Sequence, residues 1–272
     1  MVISSATGDN ENHSDGRWPC RTQGSRVGVR VTFLGTGDAF NARARCHAGY
    51  LVQAPSATVL LDCGPTALMA MKRDGLSPEA LDAIVLSHLH GDHFAGLPFF
   101  FLTYIFDAPR RRPLVVVGPP GTQARVCDLY RTMYRDLSTR PLPFELRYIE
   151  VNGGLHTAVG AADLLPFAVP HQQTELSLGF RLTVDGRSIL YSGDSGWTEA
   201  LVTHSRATDL FICECCYFET RTDFHLDYPR IAEQRSRFGC RRLVLTHIGR
   251  EVLAHSDEID AQLAHDGLVI EV

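Results

Sequence analysis

The segment Ser87-His88-Leu89-His90-Gly91-Asp92-His93 constrains this chain more than any other. It is fed by Ala83-Ile-Val-Leu-Ser87, which reads as a short strand of the kind buried on both faces. Two histidines two residues apart on extended backbone point their imidazoles to the same side. Gly91 then permits a sharp turn, so Asp92 and His93 face the same space at the start of a helix. Such a set, borne on a strand that leaves a core, forms a compact nitrogen and oxygen cage. Zinc is its natural occupant, with manganese or iron(II) as alternatives.

Three further positions repeat the chemical context of a polar residue at the mouth of an apolar strand. His171 follows Leu165-Pro-Phe-Ala-Val-Pro170, Asp194 follows Ile189-Leu-Tyr-Ser-Gly193, and His247 follows Leu243-Val-Leu-Thr246. Ligands at strand ends are held rigidly, as a metal site requires. Around them the pattern predicts strands over 27–34, 49–53 and 58–62, then a helix over 66–73 with Pro65 at its start. The apolar stretch 97–106 reads as a helix or a pocket wall, followed by a strand over 114–117 and a helix over 122–135. Strands over 145–151 and 163–169 precede a hairpin, 177–184 and 188–192, turning at Asp185-Gly186. A strand over 209–213, a helix over 228–238, a strand over 242–246, a helix over 257–265 and a closing strand complete the reading. The second half loosely repeats the scheme of the first with no linker between them. We therefore expect one α/β domain over 27–272, two packed sheets with outer helices, behind a flexible tail over 1–26.

Composition narrows the class. At 272 residues, 44% of them hydrophobic, the chain can bury a core. It has no uninterrupted apolar run of about 18 residues, hence no membrane-spanning helix is expected. A net charge of −5 argues against a general nucleic-acid-binding surface. The polar first residues lack the apolar stretch of a secretory signal, and several of the eight cysteines sit in apolar surroundings where reduced thiols are the default. A reduced cytoplasmic setting is the expectation.

With these residues in hand, the chain resembles the metallo-β-lactamase-fold hydrolase superfamily. His88-x-His90-x-Asp92-His93, then His171, Asp194 and His247, matches that superfamily's metal motifs in order, over roughly Val27 to the C-terminus. The resemblance implies an αββα sandwich, two mixed β-sheets flanked by helices, with a site for two divalent ions in the cleft at the sheet edges. It implies that His88, His90 and His171 hold one ion, that Asp92, His93 and His247 hold the other, and that Asp194 bridges them. Asp62, in Leu60-Leu-Asp-Cys-Gly64, matches a buried aspartate that orients a ligand histidine.

Phe33-Leu-Gly-Thr-Gly37, Gly179-Phe-Arg181, and Cys213-Glu214-Cys215-Cys216 followed by His225 are similar to the ribonuclease Z-like phosphodiesterase branch. The resemblance assigns His225 as a proton donor oriented by Glu214, and Asp92 to the catalytic centre. Two ions about 3.5–4 Å apart lower the pKa of a shared water and supply the attacking hydroxide. A leaving alkoxide then takes a proton from an imidazolium held by a carboxylate. The branch's long basic, glycine-rich tRNA-gripping arm has no counterpart between Val117 and His171. Cys213 stands where the branch has a histidine, and Leu226-Asp227 follow the donor in place of a hydroxyl residue.

The expected partner is therefore a small anionic or ester substrate, with no membrane and, against the acidic balance, little role for nucleic acid; a homodimer is also admitted. The leading expectation is a phosphodiesterase. Competing ones are a carboxylic ester, lactone or thioester hydrolase on the same site, a tRNA 3′-processing endoribonuclease, and a non-catalytic metal-binding scaffold. Arg110-Arg111-Arg112, between Pro109 and Pro113, reads as a solvated turn, and Phe99-Phe100-Phe101 as core. His13, His47, His156, His204, His255 and His265 carry no motif and default to the surface.

Overall fold

A computed structural model describes residues 28–272, so the tail expected over 1–26 lies outside the described residues, as do Val27, His13 and Cys20. In the first half, β1 (Arg30–Gly35), β2 (Gly49–Gln53) and β3 (Thr58–Leu61) form an antiparallel meander. From β3 the sheet continues in parallel through β4 (Ala83–Val85), β5 (Leu114–Gly118) and β6 (Leu146–Glu150). The second half follows the same plan. Strands β7 (Thr157–Val159), β8 (Ala162–Val169), β9 (Ser177–Val184) and β10 (Arg187–Tyr191) run antiparallel. They pass in parallel to β11 (Leu210–Glu214), β12 (Arg242–Thr246) and β13 (Gln262–Leu263). The last strand, β14 (Val269–Glu271), returns to pair with β1, giving two seven-stranded sheets.

Burial explains the layering. One apolar cluster joins inward residues of both sheets, among them Phe33, Tyr50, Val85, Phe180, Tyr191 and Ile212. The outer face of the first sheet packs on α1 (Ala67–Arg73), α3 (Leu97–Phe106) and α4 (Thr122–Met133) through Leu60, Met71, Phe100, Phe101 and Val126. The outer face of the second packs on α5 (Glu199–Ser205), α6 (Tyr228–Gln234) and α7 (Arg250–Ala254) through Phe211, Leu201, Ile231 and Val252. The short α2 (Gly91–Phe94) caps the end of β4. Both faces of both sheets are covered, which is why the central strands read as continuous apolar runs rather than as alternation. The result is the expected αββα sandwich.

Several expectations change. Residues 257–265 are not helical: one tight turn spans Ser256–Glu258, and Gln262 and Leu263 pair with β12. Ile259, Ala261 and Leu263 pack on the outer cluster, a period of two that belongs to extended chain rather than helix. The 228–238 helix is α-helical only to Gln234 and tightens over Arg235–Arg237. Helix α5, opened by a Thr198 side chain that accepts from Ala200 N–H, and strand β7 were not read from sequence. Arg110 is not a solvated turn residue. It is 1% exposed, and its guanidinium donates to the carbonyls of Arg112, Glu79, Leu81 and Pro113 while lying 5.2 Å from the Tyr104 ring centre. The fork of fixed donors staples the α3–β5 connection. Phe100 and Phe101 are core, as expected. Among the described residues no helix is long and apolar enough to cross a membrane, and all seven described cysteines are free thiols.

Candidate metal centre

The carboxyl ends of β4, β8, β10, β11 and β12 open on one edge of the sandwich, the place where α/β sheets present ligand sites. Beyond β4 the chain stays extended through His88 and His90, with Leu89 buried beneath them. Their rings lie 4.6 Å apart, and each lies within 4.8 Å of the His171 ring that leaves β8. Asp92 and His93 sit in the single turn of α2. Asp194 arrives from β10 and His247 from β12, the latter in left-handed backbone at φ 53°. The structure thus brings together all seven residues singled out in the sequence.

They fall into two groups sharing one carboxylate. Donor atoms of His88, His90 and His171 lie within 4.8 Å of one another, as do those of Asp92, His93, Asp194 and His247. Asp194 Oδ2 stands between the groups, 3.9 Å from His88 Nε2 and 3.8 Å from His171 Nε2, and 3.2 Å from His93 Nε2 and 3.3 Å from His247 Nε2. Asp92 Oδ2 lies 3.2 Å from His93 Nε2 and 3.4 Å from His247 Nε2.

These residues fit metal ions on two physical grounds. Buried polar atoms normally have hydrogen-bond partners, yet His88 Nε2 and Asp194 Oδ1 are buried with none among the described residues. The electrostatics agree. Burial works against ionising Asp194, but His247 and His93 hold its carboxyl well below the usual range. Asp92 follows the same balance, with His93 overcoming burial. Burial disfavours charge on His93 as well, yet Asp194, Asp92 and Asp62 together draw its proton affinity well above an ordinary imidazole. A divalent cation would meet the same attractive field. Burial lowers His88, and His171 to about 4, so those two present neutral nitrogens.

Asp62 explains how the cluster keeps its shape. Fully buried and in left-handed backbone, it accepts from Ser87 N–H at 2.7 Å, Ser87 O–H at 2.8 Å and Tyr191 O–H at 2.5 Å, and it meets His93 Nδ1 at 2.7 Å. Its contact through Nδ1 leaves His93 Nε2 facing the carboxylates. His171 is held comparably, its Nδ1 2.9 Å from the Phe224 carbonyl. Next along the chain, His225 places Nδ1 3.0 Å from Glu214 Oε1, which also accepts from Ser195 N–H. The His225 ring lies 4.8 Å from the His171 ring and stacks 5.6 Å from His247. Burial lowers its proton affinity, but Glu214 more than reverses this and raises the pKa to about 9.

The metal-type cluster opens into a cleft lined also by Cys216, from the motif read in the sequence, and by Asp38, Phe40 and Tyr217, which did not stand out there. Burial keeps Cys216 a neutral thiol, raised to about 11. His47 departs from its expected surface role: it is half-buried, feels the Asp92 charge, and buries an Nδ1 that has no hydrogen-bond partner among the described residues. The signal was its closeness to the Phe33–Gly37 turn, invisible until that turn is placed against α2.

The family described as Anti-Pycsar protein Apyc1 matches residues 29–264. The chain belongs to that family. A ribonuclease Z of Mycolicibacterium gilvum is 29% identical over 247 residues, covering 80% of this chain and 84% of the relative. The human tRNase Z short form, ELAC1, superposes with a TM-score of 0.72 at 25% identity, covering 89% of this chain and 99% of that one. A diphosphatase from the PhnP family superposes with a TM-score of 0.71 at 20% identity, covering 90% and 98%. The fold is therefore the metallo-β-lactamase fold, in its ribonuclease Z-like branch, and the chain is a metal-binding hydrolase of that kind.

Proposed function

We propose that this protein is a dinuclear metal-dependent phosphodiesterase acting on a small phosphodiester. The observation that carries the reading is the His225–Glu214 pair, set 3.0 Å apart beside the histidine and aspartate cluster. A carbonyl hydrolase whose leaving group is stabilised by metal has no need of such a donor, whereas an alkoxide leaving a phosphoryl centre does.

His88, His90 and His171 would hold one ion, Asp92, His93 and His247 the other, with Asp194 between them; zinc suits these donors best. When bound, such ions supply Lewis-acid charge to a phosphate oxygen and lower the pKa of a water. The chain's own residues do the rest. Glu214 accepts from His225 Nδ1–H, so the opposite ring nitrogen carries the transferable proton to the leaving oxygen. With its pKa at about 9, His225 is charged through neutral pH and loses its donor role as pH rises through that value. Asp62 fixes the rotamer of His93, and the Phe224 carbonyl ties His171 to the segment bearing the acid.

Substrate size is supported by what fills 119–170. That stretch is spent on α4, β6, β7 and β8, all packed into the sandwich, and no long arm leaves it among the described residues. The test is a substrate panel on the metal-loaded protein, with metal content measured beside it. Turnover of bis(p-nitrophenyl) phosphate and a thymidine phosphodiester above lactones and thioesters is expected. Preference for lactones or thioesters, with negligible phosphodiester turnover, would overturn the reading.

A further inference from the structure

His225 differs from the other histidines of the site in what carries it. His88, His171 and His247 stand just beyond strands, whereas His225 rides on a loop between β11 and α6, and loops are ordinarily the mobile part of a fold. A proton donor must nonetheless sit within hydrogen-bond reach of the leaving oxygen, about 2.6–3.2 Å. What holds this loop is therefore part of the chemistry.

The loop closes at a narrow neck. Cys216 N–H and Tyr217 N–H donate to the Leu226 carbonyl, and Tyr228 N–H donates to the Tyr217 carbonyl. Above the neck, side chains take up the backbone donors. Thr222 Oγ1 accepts from Phe224 N–H and His225 N–H. Glu251, in the first turn of α7, accepts at Oε2 from the N–H groups of Phe218, Glu219 and Thr220, and at Oε1 from the Thr220 hydroxyl. One carboxylate thus gathers three consecutive backbone donors, each bond strengthened by its charge. Burial raises the Glu251 pKa, but the Thr220 hydroxyl and the N–H groups bring it down to about 2, so this anchor stays ionised through neutral pH. Beside it the Phe218 ring lies 4.2 Å from the His255 ring and 5.8 Å from the Tyr228 ring, nearly parallel to both.

The same loop is packed against two segments that bear site residues. A Cβ on Gly196, two residues past Asp194, would come within 1.8 Å of the Asp223 carbonyl oxygen. One on Gly249, two residues past His247, would come within 2.1 Å of the Cys216 carbonyl oxygen. The backbones are in contact, so a shift of the loop moves His225 relative to Asp194 and His247. Glu251 lies four residues past His247, and one short connection carries a metal-facing histidine at one end and the loop's anchor at the other.

We propose that Glu251 is a positioning residue for His225, its carboxylate fixing the loop so that the imidazole faces the metal cluster at the distance proton transfer needs. The proposal rests on the reading of His225 as the acid of a phosphodiesterase, and it adds what sets the acid in place.

Two measurements on the metal-loaded protein test it. The first compares turnover of two thymidine phosphodiesters, one releasing p-nitrophenol and the other a simple alcohol. Glu251→Ala is expected to lose about tenfold on the alcohol ester, the scale of a displacement below 1 Å, and much less on the nitrophenyl ester, with metal content unchanged. Glu251→Gln, whose amide oxygen still accepts the N–H groups, should keep most of the wild-type rate. Equal losses on the two esters would mark a general loosening of the fold and overturn the proposal. The second measurement needs no substrate. In protein labelled with ¹⁵N at histidine, the Nδ1–H signal of His225, assigned by its absence in His225→Ala, reports the hydrogen bond to Glu214. It should persist in Glu251→Gln and be lost to solvent exchange in Glu251→Ala, and an unchanged signal in Glu251→Ala overturns the proposal. A wild type that turns over neither ester sinks the phosphodiesterase reading alone, and the signal then decides whether Glu251 sets the position of His225.

Discussion

The metal centre and the loop that bears His225 are held by opposite means. At the metal centre His93, His171 and His225 are braced from behind: Asp62 gathers four contacts to fix His93 and Ser87, the Phe224 carbonyl holds His171, and Glu214 holds His225. In the loop the braced atoms belong to the backbone, whose N–H groups are taken up by Glu251 and Thr222. Chemistry that tolerates little displacement is placed on strand ends and supported from the core. An acid carried on a loop needs anchors along the loop itself, because loops are otherwise the mobile part of a fold.

Substitutions sharpen this contrast by the size of their effects. Asp194→Asn removes the carboxylate that faces both ligand groups. It should lower metal content measured by elemental analysis, and lower activity by more than the roughly 10–100-fold typical of groups that only support a ligand. Retention of full metal content and activity would show that the two groups are independent of Asp194. Asp62→Asn leaves every ligand in place but weakens the hold on His93. A loss of about 10–100-fold in metal affinity or activity is expected, with the loss in affinity read by chelator competition. No change in either quantity would mean that packing alone orients His93. Glu251→Ala stands at the small end, lowering turnover of the alcohol ester and leaving metal content intact.

Much of the metal centre was legible in the sequence, and little of what anchors the loop. His88, His90, Asp92 and His93 announce themselves because one strand and one turn carry them all. His171, Asp194 and His247 were visible because apolar runs lead into them. The β-strands were read correctly where both faces are buried, as in β4, β5, β11 and β12. The stretch 257–265 was misread because Ile259 and Leu263 fit a helical spacing as well as a strand's, and only pairing with β12 decides between them. Arg110 looked solvated because a charge in sequence carries no mark of the four carbonyls that fold around it. His47, Phe40 and Glu251 were missed for a related reason. Each becomes significant only when separate loops meet at the sheet edge, and no local pattern records that meeting.

The central claim is that His225 protonates a departing alkoxide beside a metal centre. The most direct measurement compares wild type and His225→Ala on two thymidine phosphodiesters that differ only in the leaving group, p-nitrophenol or a simple alcohol. The account predicts a loss of about 10²–10⁴-fold on the alcohol ester, which needs the proton. It predicts a much smaller loss on the nitrophenyl ester, whose anion leaves unaided, with metal content unchanged in both cases. Equal losses on the two esters would contradict it.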